Sequence, residues 1–440
     1  MDFTIVSDII TGKHVRKDYR HYMESQWFSR SDLAEIQSRK LRDLMEHCYE
    51  NVPFYQKVMK QKGLIPSDFA SIDTLAELPK VTKEDIKANY ADFTPLNLKT
   101  IKGVKSGQTG GTTGSILVKR NDANTRSSIW GAFKRFESWM GYNAGEKALI
   151  LMGGHVAHNR DIKYFKGEIK SFLQHRLLNQ IVINPYSTDE EITKSIISHL
   201  INSDIRLVRG YSQYLYNLCQ QMKKRGVFCR IPVVTTTAEP LMPQHRELFK
   251  EVLGAESFDQ YGCGEVGGVA FECEKHEGMH ITEERVIVEQ NEDNDLILTD
   301  LDNYSMPFIR YYNADQAIIK NEKCSCGREH RLIQNVMGRT CDYVIGLNGE
   351  YLHWAYFWHL VFDSGIAQKR ELNKFQIVQE AKDLLVFKYI SSELESEEMQ
   401  MLTENIQSRL GKIDVVFQQE TQITNTATGK YRPVINKLLS

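Results

Sequence analysis

The chain has 440 residues, 41% of them hydrophobic and 10% aromatic, which excludes a disordered or collagen-like polymer and is enough to bury a core in two or more domains. Fifty-five Lys plus Arg face 57 Asp plus Glu, a net charge of -2, so no global field is available to hold a polyanion such as nucleic acid. Residues 1–17 mix Asp, Thr, Lys and His, and no apolar run reaches the roughly 18 residues of a bilayer span, so the expectation is an untargeted cytoplasmic protein without membrane or nucleic-acid partners.

Leu33, Ile36, Leu41 and Leu44 recur at helical spacing and predict a helix over 31–49, capped by Ser31 and ended by Pro53. Residues 64–87 read as a turn-rich connector in which a short helix opens at Thr82, with Asp85 completing an approximate capping box. Trp130, Phe133, Phe136 and Trp139 have near-helical spacing and are assigned to the core. Beyond residue 100, short apolar runs at 148–152, 205–208 and 232–236 alternate with longer amphipathic segments, the rhythm of an α/β domain with largely parallel strands. The runs stop at Gly153-Gly154-His155, Arg209-Gly210-Tyr211 and Thr237-Ala238-Glu239, and open α/β sheets place ligands at such strand ends.

After residue 280 the apolar runs crowd together at 286–288, 296–298 and 308–311, which predicts an antiparallel layer or small barrel. The last hundred residues predict strands at 375–378, 384–387 and 415–417 with a helix over 396–410. The expected fold is therefore α/β: a large N-terminal domain of α/β subdomains with a small β-barrel-like layer, 1–341, and a small α+β C-terminal domain, 342–440.

Four glycines and five hydroxyl residues fall within Ser106-Gly107-Gln108-Thr109-Gly110-Gly111-Thr112-Thr113-Gly114-Ser115. Glycine permits close approach and positive φ, so such a loop can turn N–H and hydroxyl groups onto a phosphate chain, although the GxxxxGK[ST] spacing is absent. Tyr261-Gly262-Cys263-Gly264-Glu265 is a tight turn presenting one carboxylate, and Mg²⁺ is usually held by one carboxylate together with phosphates. Asp315, after Phe308-Ile309-Arg310-Tyr311-Tyr312, reads as a strand-end carboxylate able to accept both hydroxyls of a ribose. Thr426-Ala427-Thr428-Gly429-Lys430 raises a lysine on a small-residue turn. Each feature also has an ordinary reading, as a flexible loop, a solvated turn, a local cap or a surface lysine. Cys263 has no identifiable base and is not read as a nucleophile.

Cys273-x-x-His276 with His280, and Cys324-x-Cys326 some 50 residues later, have the ligand types and spacing of a tetrahedral zinc site. Two ligands would come from each turn, with either His276 or His280 completing the set. Four protein ligands close the shell, so the zinc is expected to clip two turns together rather than to catalyse.

Taken in order, the glycine/threonine loop, the Tyr-Gly-x-x-Glu turn, the Asp, Gly338-Arg339 with Asp342, and the terminal Gly429-Lys430 resemble the adenylate-forming (acyl-AMP) ligases. More closely, the chain resembles the phenylacetate-CoA ligase and CapK-like branch, through Asn51-Val52-Pro53-Phe54-Tyr55, Leu78-Pro79-Lys80, Gly111-Thr112-Thr113-Gly114, Ala238-Glu239-Pro240, Leu301-Asp302-Asn303 and Met306-Pro307-Phe308-Ile309-Arg310-Tyr311. The resemblance implies that a carboxylate attacks the α-phosphate of ATP to give an acyl-adenylate and pyrophosphate, after which CoA or an amine takes the acyl group. It also implies roles: Thr109, Gly110, Gly111, Thr112, Thr113 and Gly114 around the departing phosphates, Glu265 on Mg²⁺, and Ala238, Glu239, Pro240, Tyr261 and Gly262 at the adenine. Asp315 would bind the ribose, Arg339 would lie near ribose and phosphate, Asp342 would be the hinge, and Lys430 would reach the carboxylate and α-phosphate. Tyr211 and Ser212 would shape the acid pocket, and His155, at the preceding strand end, reads as lining that pocket, as admitting the acceptor or as a hydrogen-bonded structural histidine.

The family's Arg-Gly continuation after the hinge is replaced by Tyr343-Val344-Ile345-Gly346-Leu347-Asn348-Gly349-Glu350, so an amine such as an amino sugar or amino acid stays open beside CoA. Aromatic acids are among the candidate substrates and a homodimer among the candidate assemblies. The rival readings are a ligase that adenylates a hydroxyl and a non-catalytic nucleotide-binding protein.

Overall fold

The computed structural model describes residues 14–108, 117–152, 178–183, 190–238, 241–292, 294–336, 343–370, 372, 374–423 and 434–438. The chain forms two compact units, one of Met1–Thr109, Leu117–Gly145 and Phe258–Gly338, the other of Gly110–Ile116, Glu146–Ser257 and Arg339–Ser440. Among the described residues no helix is long and apolar enough to cross a membrane.

In the first unit a helix runs over Arg30–Asn51, longer at both ends than expected. Its cap is Ser29, not Ser31: the Ser29 side chain accepts from the Asp32 N–H while the Asp32 carboxylate accepts from the Ser29 N–H, a reciprocal box that Ser31, already inside the first turn, cannot make. Val52 turns the chain out, and Pro53 then opens a second helix, Pro53–Lys62, where its missing N–H costs nothing. Thr82 and Asp85 form the capping box of Lys83–Ala88.

Leu41, Leu44, Met45 and Cys48 of the long helix join the same buried cluster as Val286, Val288, Leu298 and Tyr311 of a seven-stranded sheet. The sheet order is Val286–Gln290, Asp295–Asp300, Tyr311–Lys320, Leu332–Val336, Met279–Ile281, Gly267–Glu272, Gln260–Cys263. Its pairs are antiparallel, as the crowded runs predict. A separate hairpin pairs Lys105–Gln108 with Val118–Asn121. Helix Ala123–Trp139 follows, capped by the Asp122 carboxylate on the Thr125 N–H. Phe136 and Trp139 are core residues, whereas Trp130 lies on the outer face of the helix and is exposed.

Arg135 of this helix belongs to a buried cluster of charges. The Glu284 carboxylate accepts from Arg135 at 2.5 Å, from Ser25 at 2.7 Å and faces His330 at 3.2 Å, and both Glu284 and Arg135 are fully buried. Burial alone would push this carboxyl up, but Arg135, His330 and Ser25 together hold it well below the usual carboxylate range.

The second unit contains a five-stranded sheet in the order Gln180–Ile183, Lys147–Leu151, Ile205–Tyr211, Val233–Thr237, Glu256–Phe258. The first four strands pair in parallel, as the alternation of short apolar runs and amphipathic segments requires. Leu149, Val208 and Val234 pack in one cluster with Leu218 and Phe249 of the helices Ser212–Lys224 and Pro243–Leu253. The same unit contains a second sheet, ordered Asp414–Gln419, Leu384–Ile390, Lys374–Ala381, Val434–Asn436, antiparallel at its centre and parallel at both edges. Helix Ser396–Leu410 spans the expected residues and buries Leu402, Ile406 and Leu410, one stripe at four-residue spacing, in a cluster with Phe375 and Phe387. Glu350 accepts from Arg409 at 2.6 Å and from Asn217 at 2.9 Å, joining this module to the helix Ser212–Lys224.

Candidate functional site

The Tyr-Gly-Cys-Gly-Glu segment forms the strand Gln260–Cys263 and the turn into Gly267–Glu272. The two strands approach so closely that a Cβ on Gly262 would collide with the carbonyl oxygen of Gly267, so only glycine fits there. Three alternate carbonyls of this turn are gripped by cations. Lys119 donates to Gly264, and the fully buried Arg285 donates to Val266 at 2.8 Å and to Gly268 at 2.9 Å. Arg285 in turn pairs with Asp300 at 3.3 Å. Glu265 sits within this framework, 8% exposed, and its charge adds to burial in pushing the Tyr311 hydroxyl up. One nearly buried carboxylate suits a hard divalent cation that brings most of its own oxygen ligands.

Tyr261 and Asp315 come together as one constellation. The Tyr261 hydroxyl donates to Asp315 Oδ2 at 2.9 Å, and Asn313 Nδ2 donates to the Tyr261 oxygen at 2.7 Å and to Asp315 Oδ2 at 2.8 Å. Burial, and then the Asp315 charge, push the Tyr261 hydroxyl well above its ordinary value, which keeps it a donor. Asp315 differs from its expected place at a strand end, since it lies within the ten-residue strand Tyr311–Lys320. Opposite it the register slips: Tyr312 pairs with Ile297 and Gln316 with Asp295, so three residues face one and the bulge re-aims 313–315. Asn313 is the member that sequence reading missed. An Asn two residues before an Asp is common, and only the bulge brings both side chains to Tyr261.

In the second unit Tyr211 ends the strand Ile205–Tyr211 and Ser212, buried, opens the following helix. Ala238 follows Val233–Thr237 directly and adopts φ 67°, a left-handed conformation that costs a non-glycine residue about 1–2 kcal/mol. Thr109, Gly110, Gly111, Thr112, Thr113, Gly114, His155, Glu239, Pro240, Arg339, Asp342 and Lys430 lie outside the described residues.

Cys273, His280, Cys324 and Cys326 converge, with all four donor atoms within 4.8 Å of one another. The hairpin register explains half of this. His280 pairs with Phe271, and Cys273, two residues beyond Phe271, shares its face, so the thiol and the imidazole emerge on the same side. Cys273 Sγ lies 3.7 Å from Cys324 Sγ, and Cys326 Sγ lies 3.5 Å from His280 Nε2. Sulfurs on a tetrahedral zinc with bonds near 2.3 Å stand roughly 3.8 Å apart, so the donor set fits that ion. The N–H groups of Lys275 and Arg328, each two residues beyond a cysteine, point at Cys273 and Cys326 Sγ at 3.4 Å, the placement that stabilises thiolate. Hydrogen bonding from Cys273, then from His280, pulls the Cys326 thiol far down, while Cys273 is pushed up. His276 stands apart from the group, at φ 55° in the turn, with Nδ1 3.2 Å from Glu272.

This architecture is that of the adenylate-forming ligases. A 2-hydroxyisobutyryl-CoA ligase in complex with 2-HIB-AMP and CoA in the thioesterification state superposes with a TM-score of 0.64 at 19% identity, over 94% of this chain and 91% of that one. The same ligase in the postadenylation state, in complex with R3-HIB-AMP, gives 0.60 at 18% identity, covering 94% and 92%. Within that class the sequence is related to the phenylacetate-CoA ligases. That of Thermus thermophilus is 26% identical over 342 residues, 73% of this chain and 74% of the relative, and that of Escherichia coli is 26% identical over 338 residues, 71% and 72%. Residues 357–437 match the CapK C-terminal domain family. The resemblance to the phenylacetate-CoA ligase and CapK-like branch read from the motifs is thus borne out.

Proposed function

We propose that this chain is an ATP- and Mg²⁺-dependent ligase that activates a carboxylic acid as an acyl-adenylate, releases pyrophosphate and passes the acyl group to CoA. The observation that carries the reading is the Tyr261–Asn313–Asp315 constellation on the same sheet as Glu265. It sets a carboxylate fixed by two donors, suited to ribose hydroxyls, near a nearly buried carboxylate suited to Mg²⁺. The relationship to phenylacetate-CoA ligases supports an acid substrate, aromatic acids included, and CoA as acceptor.

Two anions must meet for the first step, the acid carboxylate and the α-phosphate, and charge accumulates on the phosphorus oxygens as the bond forms. Lys430, on a C-terminal domain beginning at 342 and turning about Asp342, would supply the positive charge for that step, and Arg339 would lie beside the ribose and phosphate. The loop 109–114 would hold the departing phosphates, Ala238, Glu239 and Pro240 would flank the adenine, and His155, Tyr211 and Ser212 would shape the acid pocket. Mg²⁺, when bound, neutralises phosphate charge; the nearly buried Glu265 is the group this chain offers it.

Cys273, His280, Cys324 and Cys326 hold one zinc as a structural clip, which ties the hairpin of Met279–Ile281 to the segment preceding Leu332–Val336. The reading places the protein in the cytoplasm, where ATP is supplied and thiols stay reduced.

Exchange of labelled pyrophosphate into ATP across aryl, aliphatic and amino acids tests the first step. Exchange with one acid class, abolished in Lys430→Ala while thioester formation from supplied acyl-adenylate persists, is the expected result. No exchange with any acid in protein that binds ATP would overturn the reading in favour of a hydroxyl-adenylating or non-catalytic protein. Trapping the acyl group with CoA or with amines then decides the acceptor. An amine is the second reading, favoured by the hairpin Tyr343–Ile345 and Tyr351–His353, which stands where the family continues with Arg-Gly.

A further inference from the structure

Residues 321–331, which carry Cys324 and Cys326, form neither helix nor strand and join Tyr311–Lys320 to Leu332–Val336. The segment has no ladder of its own, yet a corner of the chain some 300 residues away rests on it. That corner is 26–30, where helix Val15–Ser25 gives way to helix Arg30–Asn51. Gln26 Oε1 accepts from Arg328 Nε at 3.1 Å, the Trp27 ring centroid lies 4.9 Å from the Arg328 guanidinium, and Arg30 donates to the main-chain oxygens of Asn321 and Glu329. Arg328 is the hub. Its N–H points at Cys326 Sγ, and its Nη1 meets both oxygens of Glu274, the residue after Cys273, at 3.2 Å. One side chain thereby spans both cysteine turns and the corner. Trp139 closes the group: its ring centroid lies 4.5 Å from the Arg328 guanidinium and 5.5 Å from the His280 ring, edge to face, and its Nε1 donates to the same Gln26 oxygen at 2.8 Å.

We propose that zinc at Cys273, His280, Cys324 and Cys326 docks the corner 26–30, with Arg328 and Arg30 as the ties, so that this corner is fixed only in the metal-loaded protein. The inference rests on the zinc-clip reading for its metal and goes beyond it by coupling that metal to a segment that supplies no ligand. The physical reason is placement. Arg328 is nearly buried, and its stacking on two rings, its fork to Glu274 and its bond to Gln26 are available together only where the turns of Cys273 and Cys326 are held side by side. Cation–π contacts and charged hydrogen bonds of this kind shift a local equilibrium about 10-fold each. Helix Val15–Ser25 differs, because it packs on helix Ala123–Trp139 at Gly131, where a Cβ would collide with Asp18 and Tyr19, and that contact needs no metal. Coupling between binding events is reciprocal, so a corner that zinc holds also holds the zinc.

The experiment measures zinc content, zinc affinity by competition with a chelator, and amide hydrogen exchange over 26–34, in full-length wild type, Arg328→Met and Arg30→Met. Removing zinc from wild type should speed exchange over 26–34 about 10-fold or more while helix Ala123–Trp139 stays protected. Each variant, loaded with one equivalent of zinc, should show the same local rise and should bind zinc about 10-fold more weakly. If chelation unfolds the whole chain, the zinc-loaded variants decide; if Arg328→Met does not fold, Arg30→Met carries the comparison. Wild-type exchange over 26–34 in a folded, zinc-loaded variant overturns the proposal, as does wild-type zinc affinity in that variant. Less than about half an equivalent of zinc in wild type never exposed to chelator sinks the clip reading and the proposal with it, whereas full zinc with an unaffected corner overturns the coupling alone.

Discussion

Two regions of the same seven-stranded sheet satisfy their polar groups in opposite ways. Around Cys273 and His280, four soft donors crowd within 4.8 Å, and His280 Nδ1, although buried, has no partner among the described residues. Nearby, the Glu284 carboxylate has Arg135, Ser25 and His330, so its charge is matched inside the protein. Around Glu265 the balance differs. Asp300, fully buried, faces Arg285 at 3.3 Å and accepts from the Asp302 N–H at 3.1 Å; its second oxygen, like Glu284 Oε2, has no donor among the described residues, and the Asp302 charge stands close by. Burial pushes the Asp300 carboxyl up to about 6 despite Arg285. The contrast teaches that burial does not decide a carboxylate's state; the count of donors around it does.

The sharpest way to break the comparison is at sulfur. Cys324→Ser should lower zinc content from about one equivalent to none and destabilise the protein by on the order of 5 kcal/mol or more, read by metal analysis and urea unfolding. Protein prepared without chelator that holds less than about half an equivalent in the wild type would refute the clip.

A smaller effect should appear in pH. The folded pKa of Asp300 lies above the unfolded value of about 3.9, so the protonated carboxyl is the form the fold favours. Its contribution to stability is therefore full below about pH 4 and is lost as pH rises through about 6, up to about 3 kcal/mol at roughly 1.4 kcal/mol per unit. Asp300→Asn should flatten that part of the stability profile, and an unchanged slope would place the titration elsewhere.

The smallest change should fall mainly on nucleotide binding. Asp315→Ala removes the acceptor for two ribose hydroxyls and should weaken ATP binding by about 10–100-fold, or about 1.5–3 kcal/mol, in protein that melts somewhat lower because the Tyr261 hydroxyl loses its acceptor. Equal binding by ATP and its 2′,3′-dideoxy analogue in the wild type would remove the ribose role.

Much of the fold was legible. The helix Ser396–Leu410 and the parallel strands around 148, 205 and 233 follow from spacing alone, because a 3.6-residue stripe and short apolar runs bounded by turns leave few other packings. The Cys273-to-Cys326 spacing likewise marked the cluster. It could not choose between His276 and His280, since both lie within a few residues of Cys273. The choice fell to the hairpin register, which turns His280 onto the cysteine face and leaves His276 in the turn beside Glu272. The cap of the long helix was misplaced by two residues because serines occupy both 29 and 31, and only the one whose side chain meets a free N–H can cap.

Sequence by itself determined the order of elements, the branch of ligases that the chain resembles, and the residue types available for phosphate, ribose, metal and zinc. Tertiary structure alone decided which of them meet. The bulge opposite Asp295 brings Asn313 to Tyr261 and Asp315, and Lys119 reaches Gly264 from a hairpin 145 residues away. Local pattern reports periodicity and turn chemistry, which act over a few residues, whereas these contacts depend on strand register and on packing between segments far apart in the chain.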